Sequence, residues 1–101
     1  MIFEAMDHLS ASEIEHVDQL LADAYKIPLE PYSTAFLCAV KLQQHLLLDG
    51  CTAMIDAGPG LSTAQVRKLG QSVQASAPTA AEAMSLAALA WSKVMRDKRK
   101  S

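Results

Sequence analysis

Thr79-Ala-Ala-Glu-Ala-Met-Ser-Leu-Ala-Ala-Leu-Ala-Trp-Ser-Lys-Val-Met-Arg-Asp-Lys98 carries the strongest structural signal in the chain. Wound as a helix, it places Ala80, Ala83, Met84, Ala87, Ala88, Ala90, Trp91, Val94 and Met95 on one broad face. Leu86 and Leu89 fall on the remaining polar side, flanking Glu82 and Lys93. The apolar arc spans roughly 200°, twice the ~100° stripe of an ordinary surface helix. A chain of 101 residues forms one domain with a modest core. Either the other helices of the same chain bury so much apolar helix, or a second chain does. The second reading is favoured, and it makes Leu86, Leu89 and Ala90 candidate protein-binding residues, with Trp91 in the core.

Working outward, two further segments carry the same start signal. Ser10-Ala-Ser-Glu13, Ser62-Thr-Ala-Gln65 and Thr79-Ala-Ala-Glu82 all fit the capping box, in which two orphan backbone donors are satisfied at a helix N-terminus. The apolar residues are mainly Leu, Ala, Val and Met, a balance that favours helix over strand. The fold expected is therefore all-α: a compact bundle of about four helices, read as a homodimer, in one domain over residues 1–101. A first helix runs about 11–25 and is stopped by Pro28 and Pro31. A second is read as continuous to about residue 57, tolerating Gly50, with a break at Gly50 as the alternative. Gly58-Pro59-Gly60 stops it. A third covers about 63–76 on a stripe of Val66, Leu69, Val73 and Ala77, and the fourth follows Pro78. Residues 1–9 form an extra turn or an arm, whose Ile2, Phe3 and Met6 make a second candidate binding patch.

The net charge of −2 hides a polarity: residues 1–50 hold eight acids and two bases, residues 51–101 three acids and seven bases. Either the acids are a solvated face and the bases complement the last helix's dipole, or opposite halves attract within or between chains. The N-terminus lacks the basic and apolar regions of a secretory signal, and no run suffices to span a bilayer. A cytoplasmic protein with reduced Cys38 and Cys51, without membrane contact, is expected.

No catalytic constellation emerges. His8, His16 and His45 are scattered, and neither H-E-x-x-H nor C-x-x-C occurs. Cys38 and His45, two turns apart, are too distant to act as nucleophile and base. Gly58–Ser62 lacks the Lys of a phosphate-binding loop. The expectation is a non-enzymatic protein with no metal and no cofactor. Arg67-Lys68 and the basic tail offer a weak nucleic-acid candidate through a helix-turn-helix-like segment, but Pro78 interrupts the helix that would read a groove.

The acidic start Met1-Ile-Phe-Glu-Ala-Met-Asp-His-Leu9, the Pro28/Pro31 linker and the Ala-rich segment Ala80–Lys93 resemble the small bacterial quorum-sensing antiactivators of the QslA kind, in size, helical layout and charge. The resemblance implies a helical homodimer that binds a LuxR-type transcriptional activator, blocks its dimerisation and inhibits it. It carries over no individual residue. The function expected is regulation by occluding another protein's interface. A DNA-binding regulator, or a secretion-type chaperone or structural subunit, is the alternative. On this reading Leu86→Glu with Leu89→Glu leaves the fold intact and abolishes association.

Overall fold

The computed structural model describes the backbone of residues 2–4 and 9–100 and the side chains of residues 9–96. The elements run β1 (Ile2–Glu4), α1 (Ala11–Glu15), α2 (Val17–Tyr25), α3 (Phe36–Leu48), β2 (Thr52–Ala57), β3 (Ser62–Lys68), β4 (Gln71–Ala77) and α4 (Ala80–Lys100). The fold is α+β. The all-α bundle of four helices, and with it the helical layout, is overturned by strands that form a sheet ordered β1-β4-β3-β2. β2, β3 and β4 make an antiparallel meander, and β1 adds parallel to β4 with Phe3 opposite Val73.

The reversal lies in residues 51–77. Ala64, Val66, Val73, Ala75 and Ala77 are buried, while Thr63, Gln65, Gln74 and Ser76 between them are not. That alternation is the period of two of a half-buried strand. Cross-strand pairing keeps it in register: Ala64 faces Ala75 and Val66 faces Val73. Between the strands, Leu69 and Gly70 both take positive φ, 50° and 81°, so a two-residue turn closes the hairpin. Ser62, read as a helix cap, is instead the first residue of β3.

Leu69 is 89% exposed in a left-handed conformation that a leucine side chain disfavours. Leu69→Asn creates the Asn-Gly pair such a turn prefers and should stabilise the protein by about 0.5–1 kcal/mol. Urea denaturation would show it as a raised midpoint with an unchanged slope.

The second predicted helix is two elements. α3 ends at Leu48 with Asp49 as its cap, and Gly50 (φ 88°) sends the chain back. The Gly50 amide donates to the Leu47 carbonyl and the Cys51 amide to the Leu46 carbonyl. This pattern of a glycine just past the last turn is a helix stop. Pro59 and Gly60 then turn β2 into β3, and a side chain on Gly58 would meet the Leu61 carbonyl oxygen at 2.9 Å.

α4 lies across one face of the sheet and against two helices. β2, β3 and β4 contact it on one side, α2 and α3 on others. Every residue from Ala83 to Trp91 is buried as a result. Small residues on the core face of the sheet (Ala53, Ala64, Ala75, Ala77) leave room for the helix to lie close. The broad apolar arc is thus covered by a layer, the sheet, that an all-helical reading did not contain.

The Ser10–Glu13 capping box is present in full: the Glu13 amide donates to Ser10 Oγ and the Ser10 amide to Glu13 Oε1. Lys93 Nζ of α4 lies 2.8 Å from the same Oε1, so one contact between the acidic and basic halves falls within the chain. The hydrogen bond from Lys93, then that from Ser10, holds the Glu13 carboxyl below its ordinary range. A carboxyl that titrates lower in the fold than in the unfolded chain stabilises fully above the unfolded value. That contribution disappears as pH falls through the folded value. Glu13→Gln should therefore cost about 0.5–1 kcal/mol at neutral pH, a difference that closes in acid denaturation curves recorded below the carboxylate range.

Candidate protein-binding surface

Of the residues expected to bind a partner, Leu86, Leu89 and Ala90 are not on the surface: they are 3%, 2% and 0% exposed. Leu86 lines a cleft of about 450 Å³ with Ile14, Val17, Leu29 and Glu82. Leu89 lines another, of about 590 Å³, with Leu20, Tyr25, His45 and Trp91. The side of α4 read as uncovered is therefore the side that α1 and α2 cover. Ile2 and Phe3 lie in β1, at the sheet edge opposite β2; only their backbone is described. Met6 lies outside the described residues.

The exposed apolar surface is on α3. Ala39, Leu42 and Leu46 recur at helical spacing on its buried side. At ~100° per residue, Phe36, Val40 and Leu47 fall together on one flank of the opposite side, and Leu37, Gln44 and Leu48 beside them. Phe36, Leu37, Leu47 and Leu48 are 54%, 76%, 49% and 89% exposed. The far margin carries Lys41, whose Nζ is 3.0 Å from Glu30 Oε1. The stripe is therefore apolar, and the one cation at its rim has its own carboxylate. Taking ~150–200 Å² for a large apolar side chain left open, the four residues present roughly 400–500 Å². Contiguous patches of that size mark interaction sites.

The stripe adjoins the outer edge of the sheet. Among the described residues β2 is the last strand, paired with β3. The Gly58 amide donates to the Leu61 carbonyl at the turn. By antiparallel alternation, Asp56, Met54 and Thr52 then exchange bonds with β3, while Ala57, Ile55 and Ala53 turn their amides and carbonyls outward. Gln43 corroborates this register: its Nε2 donates to the Ala53 carbonyl at 2.8 Å from the outer side. Gln43 sits next to the Phe36–Val40–Leu47 flank on the helix, so α3 covers the edge at the buried Ala53, and the edge stays open only at Ile55 and Ala57.

Among the described residues no three His, Cys, Asp or Glu side chains are grouped to hold a metal ion. Cys51 is buried, and desolvation pushes its thiol up, away from the reactive thiolate. Tyr25, pushed up strongly by burial, donates its hydroxyl to the Ala88 carbonyl at 2.6 Å and acts as a clasp between α2 and α4. Arg67 and Lys68, candidates for a helix-turn-helix, lie in β3. Arg67 bonds Gln65 Oε1, and Lys68 bonds the Asp49 carbonyl. No helix of the described residues is long and apolar enough to cross a membrane. No protein-family model matches the chain, and no curated protein or solved structure is similar to it.

The α3 stripe was missed because the segment 35–47 reads as apolar nearly all round, and one dimension does not say which side meets the core. Leu47-Leu48 beside Asp49-Gly50 was the available signal. Two adjacent leucines at a helix end point ~100° apart, so a narrow core cannot hold both.

Proposed function

We propose that this protein works by binding protein, without chemistry of its own, through the surface made by α3 and the β2 edge. The observation that supports this is the apolar stripe of Phe36, Leu37, Leu47 and Leu48 beside the outer strand of the sheet, whose backbone faces outward at Ile55 and Ala57. Burial of the stripe provides the driving force at ~25 cal/mol per Å², less the costs of association. The strand edge provides directed hydrogen bonds of the β-addition kind. Regulation by stoichiometric occlusion, the role implied by the antiactivator resemblance with a LuxR-type activator as its target, needs such a surface and no catalytic residue. In this proposal the binding role passes from Leu86, Leu89 and Ala90 to α3.

The test is Leu37→Glu combined with Leu48→Glu. Both side chains project into solvent, so the circular dichroism and urea midpoint should stay close to wild type. Association, measured by sedimentation and by co-purification, should be lost. A folded double variant that associates like wild type removes α3 from the function.

A further inference from the structure

We propose that the cleft between α1, α2 and the start of α4 takes the basic segment 96–100 of a second copy of the chain, each copy lending its segment to the other. The contact is separate from the α3 surface and carries its own test.

The cleft, of about 450 Å³, has an apolar floor and an acidic rim. Ile14, Leu29 and Leu86 belong to the floor, and the charged side chains on its lining are the carboxylates of Glu15, Asp18 and Glu82, with no Lys or Arg among them. Asp18 accepts the Ser33 amide at 2.8 Å. Glu15 and Glu82 take part in neither ion pair found among the described residues, Lys41 with Glu30 and Lys93 with Glu13. Such a cleft suits Lys and Arg side chains. Their aliphatic stems lie on apolar surface while their heads reach the rim, and a guanidinium can meet a carboxylate with two parallel bonds.

The chain itself holds the matching segment. Lys93 is taken by Glu13, but Arg96, Lys98, Arg99 and Lys100 follow it with a single acid, Asp97, a net charge of +3 against the three carboxylates of the cleft. Val94 is the last buried residue of α4, Arg96 is exposed, and the helix runs on to Lys100. The segment therefore extends past the last residue that the core holds. It does not reach the cleft of its own chain. Glu82 marks that cleft on α4, and Lys98 lies ~24 Å further along the same unbroken helix. Arg96, nearer, lines the other cleft beside Leu20 and Met95. The counterpart of the segment is thus on another molecule. Two copies that exchange segments about a two-fold axis fill both clefts at once, whereas a one-way contact leaves a cleft and a segment open at the ends of a string.

The experiment is sedimentation equilibrium from low micromolar to near-millimolar concentration, at ~10 mM and at ~1 M salt, where charges are felt over ~30 Å and ~3 Å. The full-length Leu37→Glu with Leu48→Glu chain is used, so that α3 contributes nothing; association through α3 is apolar and is scored at ~1 M salt. The expected mass is twice 10.9 kDa in low salt and a single copy in high salt. In the same background Lys98→Glu with Arg99→Glu should be folded by circular dichroism and monomeric in low salt, and so should Glu15→Lys with Glu82→Lys. Mixed in equal amounts, these two chains should pair. The mixture restores one original contact, and its reversed contact is attractive too. A role of the bases confined to the dipole of their own helix does not produce that pairing. A chain that stays monomeric in low salt at the highest concentration overturns the exchange. So does a dimer that persists when segment 96–100 is reversed, or a mixture that stays monomeric. If the cleft variant does not fold, the reversed segment alone decides. Each of these results leaves the α3 reading to its own test.

Discussion

Leu86→Glu combined with Leu89→Glu is expected to unfold the protein. Each leucine is almost wholly buried, against the side of α4 that α1 and α2 cover. Removing a buried leucine side chain costs about 2–5 kcal/mol. A glutamate in its place adds the several kcal/mol needed to desolvate an unpaired carboxylate or to protonate it. Lys93, the nearest cation on that side of the helix, is engaged with Glu13. Two such sites together exceed the 5–15 kcal/mol that holds a domain folded. The helical circular dichroism should collapse, and the single tryptophan, Trp91, should emit as solvent-exposed indole. The outcome separates two pictures of one helix. In a bundle with its C-terminal helix half uncovered, the same variant stays folded and loses only its partner. A folded double variant with native emission would mean that α1 and α2 do not cover α4 in solution, and the binding surface would return there.

The two pictures part at a few residues. The Ser10–Glu13 box, the Pro28/Pro31 linker, the turn at Gly58-Pro59-Gly60 and the start of α4 after Thr79 are all local chemistry. Each lies where its residues indicate. Residues 62–77 are different, because two periods fit them. Val66, Leu69, Val73 and Ala77 recur at helical spacing, and Ala64, Val66, then Val73, Ala75, Ala77 alternate as a strand does. Ala, Gln and Ser have little intrinsic strand preference, and Ser62-x-x-Gln65 imitates a cap. Tertiary packing decides: a helix there would bury Leu69, whereas the hairpin leaves it 89% exposed and buries the alanines beneath α4. The telling signal was Leu69-Gly70 flanked by alternation on both sides, obscured by a leucine in a position that asparagine would have advertised. The difference over Leu86, Leu89 and Ala90 follows from this one. Without a sheet, α4 has too little cover and its leucines read as surplus; with the sheet in place, the surplus is on α3.

Trp91→Ala is the second substitution expected to have a large effect, a loss of about 3–5 kcal/mol. Trp91 is 3% exposed and ends the fully buried run of α4. It lines a cleft with Leu20 and Tyr25 of α2, His45 of α3 and Met95, and it shares the core with the buried Cys51 that precedes β2. One side chain therefore touches the elements on both sides of the turn that sets α3 beside β2. Alanine is the better helix former by several tenths of a kcal/mol, so α4 itself gains from the change and the whole loss must come from packing. Tyr25 limits any collapse into the space, since its hydroxyl is tied to Ala88 and its ring meets His45 edge-on at 5.6 Å. Trp91→Phe keeps most of the volume and should cost under about 2 kcal/mol. Urea denaturation followed by circular dichroism measures both, because the alanine variant has no tryptophan left to report. A loss below about 1 kcal/mol in Trp91→Ala would mean that α2 and α3 do not close on the C-terminal half of α4. The position of α3 over the β2 edge, on which the proposed surface depends, would lose its anchor.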